Sequence, residues 1–290
     1  MSLPRCVVPS GDRCGEGLTW SAAEGAIYWT DINRFLIHRH DEATGSTRSW
    51  FFDEPVVALS LTTEPGRLLV ALGSKLVWWW PATDRRRDHG FALSAAPRVR
   101  LNDGRADRDG NFWIGSMKNN VLPDGTAGEA GKGEGILYRI APDGTATEWR
   151  HSLGIPNTLC WSPDGALFYF GDTLENSISV CKVTAGGIGR GRPHFEGFAR
   201  GLPDGSAMDA EGHLWNCRYG GGCVVRVAPS GTVRRVVDLP APNVTTATFG
   251  GSDLRTLYVT TAANGHRLAG GLFALRVDAP GLAEHVVRIS

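Results

Sequence analysis

The chain has 290 residues, with 30 basic and 30 acidic side chains and therefore no formal net charge. Nucleic acids and anionic membranes are bound by an excess of basic residues, so we expect neither as a partner. No apolar run approaches the roughly 20 residues of a spanning helix. The N-terminus MSLPRCVVPSGDR lacks the apolar core of a secretory signal.

The six cysteines include no CxxC pair and are irregularly spaced. In a chain of this size, that pattern is typical of free thiols in a reducing compartment. We therefore expect a cytoplasmic protein, and a disulfide between Cys217 and Cys223 stays open as an alternative.

A turn glycine recurs along the chain, and an arginine takes its place in a sixth copy. These residues are Gly25, Gly66, Gly110, Gly165, Gly212 and Arg255, at intervals of 41, 44, 55, 47 and 43 residues. A short apolar run precedes each turn and an alternating apolar run follows it, which is the pattern of a β-hairpin. A period of about 40–50 residues is typical of propeller blades. We predict an all-β fold, a six-bladed β-propeller with four antiparallel strands per blade, in a single domain over residues 1–290.

Three segments of this propeller have specific expected places. Cys6–Val8 is a short strand without a repeat of its own, and it should pair in the last blade because an open ring would leave two bare sheet edges. Residues 271–289 are interpreted as the second hairpin of the sixth repeat. The run Trp78–Trp80 is interpreted as a strand whose alternate rings pack between blades.

The repeat register also predicts a site. The first strand of each blade lines the central channel and its hairpin turn lies at the far face, so residues eight or nine before the turn gather at the near mouth. Four repeats place an oxygen-bearing side chain there, namely Glu16, Asn102, Asn157 and Asp204. The second repeat has Val57, and Asn243 lies near this level in the sixth.

Such carboxylates and carboxamides are hard oxygen ligands, which suit Ca²⁺, Mg²⁺ or Mn²⁺. We expect one divalent cation, with Zn²⁺ as a further possibility. Asp204 also belongs to a Pro-Asp-Gly sequence that is not needed as a turn, because its repeat already turns at Gly212. Asp31 and Asp172, which end two second strands, are interpreted as structural turn anchors.

Five segments resemble the senescence marker protein/gluconolactonase family, the regucalcin-like sugar lactonases. They are GEGLTW (15–20), RLNDGRADRDGNFWIGSM (100–117), PNTLCWSPDG (156–165), PDGSAMDAEGHLW (203–215) and FGGSDLRTLYVTT (249–261). The resemblance covers nearly the whole chain. It implies a six-bladed propeller with one divalent cation at the channel mouth.

The same resemblance implies roles for individual residues. Glu16, Asn157 and Asp204 would be the metal ligands, and Arg100 and Asn102 would contact the substrate. Family members often carry an acidic residue three positions after the Met of the WxGxM segment. Here that position is Asn120, which we include among the substrate-binding residues and which leaves the substrate's identity open.

The expected function is metal-dependent hydrolysis of a sugar-acid lactone to the free aldonic acid in sugar catabolism. Asp204 is the expected general base, since a carboxylate beside the cation is within reach of the attacking water. The Gly-rich segment 118–133 is expected to fold over the site as a lid. Two alternatives stay open, a phosphotriesterase-like hydrolase on the same propeller and a non-enzymatic calcium-binding protein.

Overall fold

The computed structural model describes residues 2–289, in which six antiparallel sheets form a six-bladed β-propeller. The first half of the chain contains β1 (Arg5–Val8), β2 (Gly15–Ser21), β3 (Ala26–Asp31), β4 (Leu36–Asp41), β5 (Thr47–Phe51), β6 (Val56–Leu61), β7 (Leu68–Leu72), β8 (Lys75–Trp80), β9 (Arg85–Ala92), β10 (Val99–Ala106), β11 (Phe112–Lys118), β12 (Gly135–Ile140) and β13 (Ala146–Leu153).

The second half contains β14 (Pro156–Trp161), β15 (Leu167–Asp172), β16 (Ser177–Thr184), β17 (Gly187–Ile188), β18 (Arg192–Glu196), β19 (Leu202–Met208), β20 (Leu214–Tyr219), β21 (Cys223–Val227), β22 (Val233–Asp238), β23 (Val244–Gly250), β24 (Thr256–Thr261) and β25 (Leu272–Arg276). The helical segments between residues 2 and 289 are two short 3-10 turns, Ile32–Arg34 and Thr173–Glu175. Neither is long enough to cross a membrane.

The blades are consecutive in the chain except at the point of closure. They comprise β2–β5, β6–β9, β10–β13, β14–β18, β19–β22, and β23–β25 with β1. The first strands β2, β6, β10, β14, β19 and β23 contact one another in a closed ring. The predicted architecture is confirmed. Blade four has one strand more than expected, because the two-residue β17 pairs with the end of β16.

The predicted closing strand is confirmed, since β1 pairs antiparallel with β25, Cys6 lying opposite Phe273. The interpretation of residues 271–289 as a complete hairpin was wrong. Only β25 forms, because β1 occupies the sheet edge that a returning strand would need. The remaining tail crosses the far face, where Gly281 forms a bridge with Asp209 and Val287 with Thr62.

The hairpin turns explain why glycine recurs at the far face. Gly212 has a φ of 79°, a left-handed conformation that glycine adopts without steric cost. The register of β23 and β24 places Leu254, with a φ of 54°, at the equivalent position of blade six. The turn residue of the sixth repeat is therefore Leu254, and Arg255 follows it.

Apolar side chains fill the spaces between neighbouring blades. On β8, Trp79 is fully buried and its ring lies 5.0 Å from that of Trp50. Trp78 and Trp80 lie on the opposite face of the strand, both under the guanidinium of Arg67. The predicted alternation is confirmed, and full burial of a large apolar side chain such as Trp79 stabilises the fold by about 1.5–3 kcal/mol.

All six cysteines lie within the described residues and are free thiols. Cys217 and Cys223 lie on the adjacent strands β20 and β21, where Cys223 pairs with Arg218. The alternative of a disulfide between them is therefore not realised.

Candidate active site at the channel mouth

Each first strand has an irregular register at the level of the predicted site residues. The shifts lie between Glu16 and Thr19 in β2, between Asn157 and Cys160 in β14, and between Pro203 and Ser206 in β19, with others in β6, β10 and β23. Such a bulge adds one residue to a strand and redirects the local side chains. The site residues of different blades therefore lie at one level.

Two carboxylates from different blades, Glu16 and Asp204, lie at this level, and the negative charge of a third, Asp103, acts on both. Glu16 and Asp204 are buried, each with 8% of its surface exposed. Burial, followed by the negative charges of Asp204 and Asp103, raises the pKa of Glu16 well above its ordinary value. Burial and the charge of Asp103 raise the pKa of Asp204 in the same way. The charges of Arg100 and Arg218 oppose these shifts in Glu16 and Asp204, although neither guanidinium forms an ion pair within 4.0 Å with them among residues 2–289.

The carboxamide of Asn157 is held in one orientation. Its Nδ2 donates to Thr173 Oγ1 at 2.8 Å, and that hydroxyl donates to the backbone carbonyl of Pro203 at 2.7 Å. Because Nδ2 faces Thr173, the carbonyl oxygen Oδ1 faces away from it, within 3.4 Å of Asn102 Nδ2. Asn157 therefore presents an oxygen acceptor beside the carboxylates.

Two further aspartates hold the loops that lead into the site strands. Asp31 accepts hydrogen bonds from the backbone N–H groups of Arg13 and Cys14, at 2.9 and 3.1 Å, just before Glu16. Asp172 accepts from Gly154 and Ile155 in the equivalent loop before Asn157, at 2.8 and 3.1 Å. These contacts agree with the interpretation of Asp31 and Asp172 as anchors.

Arg100, Asn102 and Asn120 form one hydrogen-bonded unit. Arg100 donates from Nε and Nη2 to Asn120 Oδ1, at 3.0 and 2.8 Å, and from Nη1 to Asn102 Oδ1 at 2.8 Å. Burial lowers the pKa of Arg100 to about 10, so the guanidinium is still a cation at neutral pH. The unit contacts strand β14 through Asn102, which donates to the carbonyl of Pro156 at 2.9 Å, next to Asn157.

Segment 118–133 lies over this mouth and contacts two other blades. Asn33 Nδ2 donates to the carbonyl of Gly125 at 2.9 Å, and Arg13 Nη1 donates to that of Asp124 at 3.1 Å, both from blade one. Lys132 forms an ion pair of 2.9 Å with Glu175 of blade four. A loop that leaves blade three therefore spans the near face.

Two features elsewhere resemble binding sites. Asp209, Glu211 and His213 cluster at the far-face turn of blade five, but Arg226 already contacts both carboxylates, each at 2.7 Å. A cavity of about 680 Å³ lies along the outer strands of blades six and one, and none of the predicted site residues lines it. The channel mouth is therefore the better candidate.

The comparison with known proteins agrees with this choice. Residues 14–263 match the family described as SMP-30/Gluconolactonase/LRE-like region. The chain belongs to this family. It is 34% identical over 293 residues to pentonolactonase XacC of Haloferax volcanii, with 96% of both chains covered. It is 32% identical over 295 residues to 6-deoxy-6-sulfogluconolactonase of Pseudomonas putida, with 97% of both covered.

A solved structure shows the same relationship. The calcium-binding protein regucalcin from Agrobacterium tumefaciens superimposes with a TM-score of 0.91 at 28% identity, and the match covers 100% of both chains. The resemblance stated from the sequence motifs is confirmed.

The donor set of this SMP-30/gluconolactonase chain fits a divalent cation. Glu16 and Asp204 supply anionic oxygens and Asn157 supplies a neutral one, which are the ligand types that hard cations take. Two buried carboxylates with pKa values raised by burial and by neighbouring negative charge would be stabilised by a positive charge between them.

Several residues near this site were missed in the sequence. Asp103 follows Asn102, and burial raises its pKa. Burial, followed by the charges of Cys14 and Asp204, raises the pKa of Tyr219 to about 12. The alternation of side chains along β2 would have placed Cys14 at the mouth, because it lies two residues before Glu16.

The residue predicted to lie near the site level in blade six was wrong. The register of β23 and β24 places Thr245, and not Asn243, at the level of the other site residues. Thr245 Oγ1 donates to the carbonyl of Gly15 at 2.5 Å. Asn243 lies two residues earlier, outside the strand, and donates to the carbonyl of Ala263.

Proposed function

We propose that this chain is a lactonase that hydrolyses a sugar-acid lactone with the help of one divalent cation at the channel mouth. The observation that supports this most is the cluster of buried carboxylates, which lacks a cationic partner within 4.0 Å among the described residues and lies beside the Arg100 unit. Relatives that cover nearly the whole chain are named for the hydrolysis of pentonolactones and of 6-deoxy-6-sulfogluconolactone.

Glu16, Asn157 and Asp204 would hold the cation. When bound, it would supply Lewis-acid polarisation of the lactone carbonyl and stabilise the negative charge that develops on its oxygen.

Asp204 is the proposed general base. Hydrolysis adds water to the carbonyl carbon and breaks the bond from that carbon to the ring oxygen, which leaves a hydroxyl group and a carboxylic acid. The carboxylate of Asp204 accepts the proton of the attacking water and returns it to the departing ring oxygen.

Arg100, Asn102 and Asn120 are the proposed substrate-binding residues. The guanidinium and the amide groups would donate to the hydroxyl and ring oxygens of the lactone and hold its carbonyl carbon beside Asp204. Their mutual hydrogen bonds of 2.8–3.0 Å preorganise these donors. Segment 118–133 would close over the bound lactone and keep bulk water out.

The test is turnover of a panel of five- and six-carbon aldonolactones, followed by acid release. We expect hydrolysis that stops when a chelator removes divalent cations and returns when Ca²⁺, Mg²⁺, Mn²⁺ or Zn²⁺ is added singly. An organophosphate ester serves as the comparison substrate. Faster turnover of the ester would favour the phosphotriesterase alternative. Cation binding without turnover of any substrate would favour a calcium-binding protein.

A further inference from the structure

Thr158, the residue after Asn157, has an unusual backbone conformation. It lies in the bulge of β14 with a φ of 56°, a left-handed conformation that is a genuine outlier for a β-branched residue. Blade one has Gly17, with a φ of 58°, at the equivalent place after Glu16. Glycine would adopt this conformation without strain, so the side chain of Thr158 needs another explanation.

The side chain of Thr158 contacts the neighbouring ligand-bearing strand. Thr158 is fully buried, and its Oγ1 donates to the backbone carbonyl of Asp204 at 2.5 Å. The same hydroxyl lies 2.8 Å from Ser206 Oγ. Asn216 Nδ2 donates to the Asp204 carbonyl and to Ser206 Oγ, at 3.1 and 3.0 Å. Two side chains, Thr158 and Asn216, therefore donate to the backbone carbonyl of Asp204, and Ser206 Oγ contacts both of them.

This polar cluster is itself fixed by a buried arginine. Arg218 has 1% of its surface exposed and donates from Nη1 to Asn216 Oδ1 at 3.2 Å. Its Nη2 donates to Asn176 Oδ1 at 2.7 Å and to the carbonyl of Gly201 at 2.6 Å. The hydrogen bonds thus run without interruption from Arg218 to the peptide of Asp204.

We propose that Thr158 is a positioning residue for the cation site. Its left-handed backbone turns Asn157 toward the mouth, and its hydroxyl fixes the peptide of Asp204 in the next blade. One residue thereby sets the separation between an amide ligand and a carboxylate ligand. This inference depends on the proposed function, because it takes Asn157 and Asp204 as ligands. Groups behind the ligands orient them and tune metal affinity in many metal sites.

A matched control tests whether this bond merely joins two blades. Thr19 Oγ1 donates to the carbonyl of Leu59 at 3.1 Å, which links blades one and two in the same way. Blade two supplies no proposed ligand of the cation, since the apolar Val57 lies at the level of the site residues. Thr19→Val should therefore affect stability without affecting the cation.

The experiment uses the full chain after chelator treatment. Calorimetric titration with Ca²⁺ and with Mn²⁺ measures affinity for the wild type, Thr158→Val, Thr158→Ser, Thr158→Gly and Thr19→Val, and urea unfolding measures metal-free stability. We expect Thr158→Val to weaken cation binding about tenfold or more, the usual effect of losing a supporting group. Thr158→Ser and Thr19→Val should bind as the wild type does. Excess cation should restore the kcat of Thr158→Val.

Thr158→Gly separates positioning from stability. Glycine relieves the backbone strain but lacks the hydroxyl, so this variant should unfold at a urea concentration no lower than Thr158→Val while its cation affinity still falls. If Thr158→Val does not fold, equal affinities of Thr158→Gly and Thr158→Ser would overturn the inference. Wild-type affinity in Thr158→Val, or equal losses in Thr158→Val and Thr19→Val, would also overturn it while leaving the proposed function intact. A wild type that binds no cation would refute both.

Discussion

Two aspartates of blade five, Asp204 and Asp209, have contrasting surroundings although they lie only five positions apart in the sequence. Asp209, at the far face, is fully buried. Its Oδ1 accepts from the N–H groups of Glu211 and His213, at 3.0 and 2.9 Å, and its Oδ2 accepts from Arg226 Nε at 2.8 Å. Asp204, at the near mouth, has a pKa raised by burial and by the negative charge of Asp103.

The difference shows how an anchor can be told from a ligand. A buried carboxylate requires donors or a positive charge to offset its lost hydration. The chain itself supplies them to Asp209, and also to Asp107 of blade three, which accepts from Trp113 Nε1 at 2.7 Å and Asn111 Nδ2 at 2.8 Å. At the near mouth, Glu16 and Asp204 have backbone donors from Gly17 and Gly205, and the proposed cation would supply the positive charge that Arg226 supplies to Asp209.

The largest expected effect comes from exchanging each aspartate of this pair for asparagine. Asp204→Asn should reduce lactone hydrolysis at least about a hundredfold, since it removes the base and one anionic ligand. Metal-free stability should change little or rise, because a buried negative charge is lost. Initial rates over the lactone panel and urea unfolding measure the two effects.

Asp209→Asn is the control for that prediction. It should leave turnover near the wild-type value and lower the free energy of unfolding by about 1–3 kcal/mol, because Arg226 and its neighbours lose a charged acceptor. Wild-type turnover by Asp204→Asn with the cation still bound would contradict the assignment of the base.

Shortening segment 118–133, the proposed lid, should have a smaller effect, confined to the near face. Replacing residues 122–131 by a short Gly-Ser linker removes the contacts of Asp124 and Gly125 with blade one. We expect KM to rise or the preference among lactones to change, while the urea midpoint stays close to that of the wild type. Unchanged kinetics across the panel would show that the segment plays no part in the reaction.

The pH dependence of metal-free stability distinguishes the near carboxylates from the far ones. The folded-state pKa of Glu16 is raised above its ordinary value of 4.5, so the folded state binds more protons than the unfolded one. Stability is then lost as pH rises through the raised pKa. Glu16→Gln, which stays neutral, should therefore exceed the wild type in stability by an amount that grows with pH above 4.5.

Urea unfolding in the presence of a chelator, repeated from pH 4.5 to pH 9, measures that difference. The comparison of variant and wild type at each pH cancels the titration of groups that do not interact with Glu16, such as the buried histidines. Saturating cation should reverse the order, since it binds the wild type more tightly. A difference that does not vary with pH would contradict the raised pKa.

The smallest expected effect concerns Asn120. Asn120→Asp places a negative charge on the atom that accepts from both Arg100 Nε and Nη2. The resulting ion pair should reduce the affinity of Arg100 for the oxygens of the substrate, and KM should change a few-fold with little change in kcat. Steady-state kinetics on the two best lactones of the panel measure this, and an effect on kcat alone would argue against a binding role.

Much of the fold could be predicted from the sequence because its determinants are local. The turn before each returning strand needs a residue in the left-handed conformation. Glycine therefore recurs at this turn, as at Gly25, Gly110 and Gly212. Counting back from each turn placed Glu16 and Asp204 at one level of the channel, since the bulges of β2 and β19 lie at corresponding positions. The family motifs added Arg100, which no spacing indicated.

Other features depend on contacts between distant parts of the chain. Asn243 was placed at the site level by counting, but the bulge in β23 gives that level to Thr245. The C-terminal tail crosses the far face because β1, more than 260 residues away in sequence, already occupies the edge of blade six. The role we infer for Thr158 has the same origin, since its partner Asp204 lies 46 residues away in the next blade. Turn conformation and strand periodicity are determined by residues that are close in the sequence. The closure of the ring and the contacts across it form only when the blades pack together.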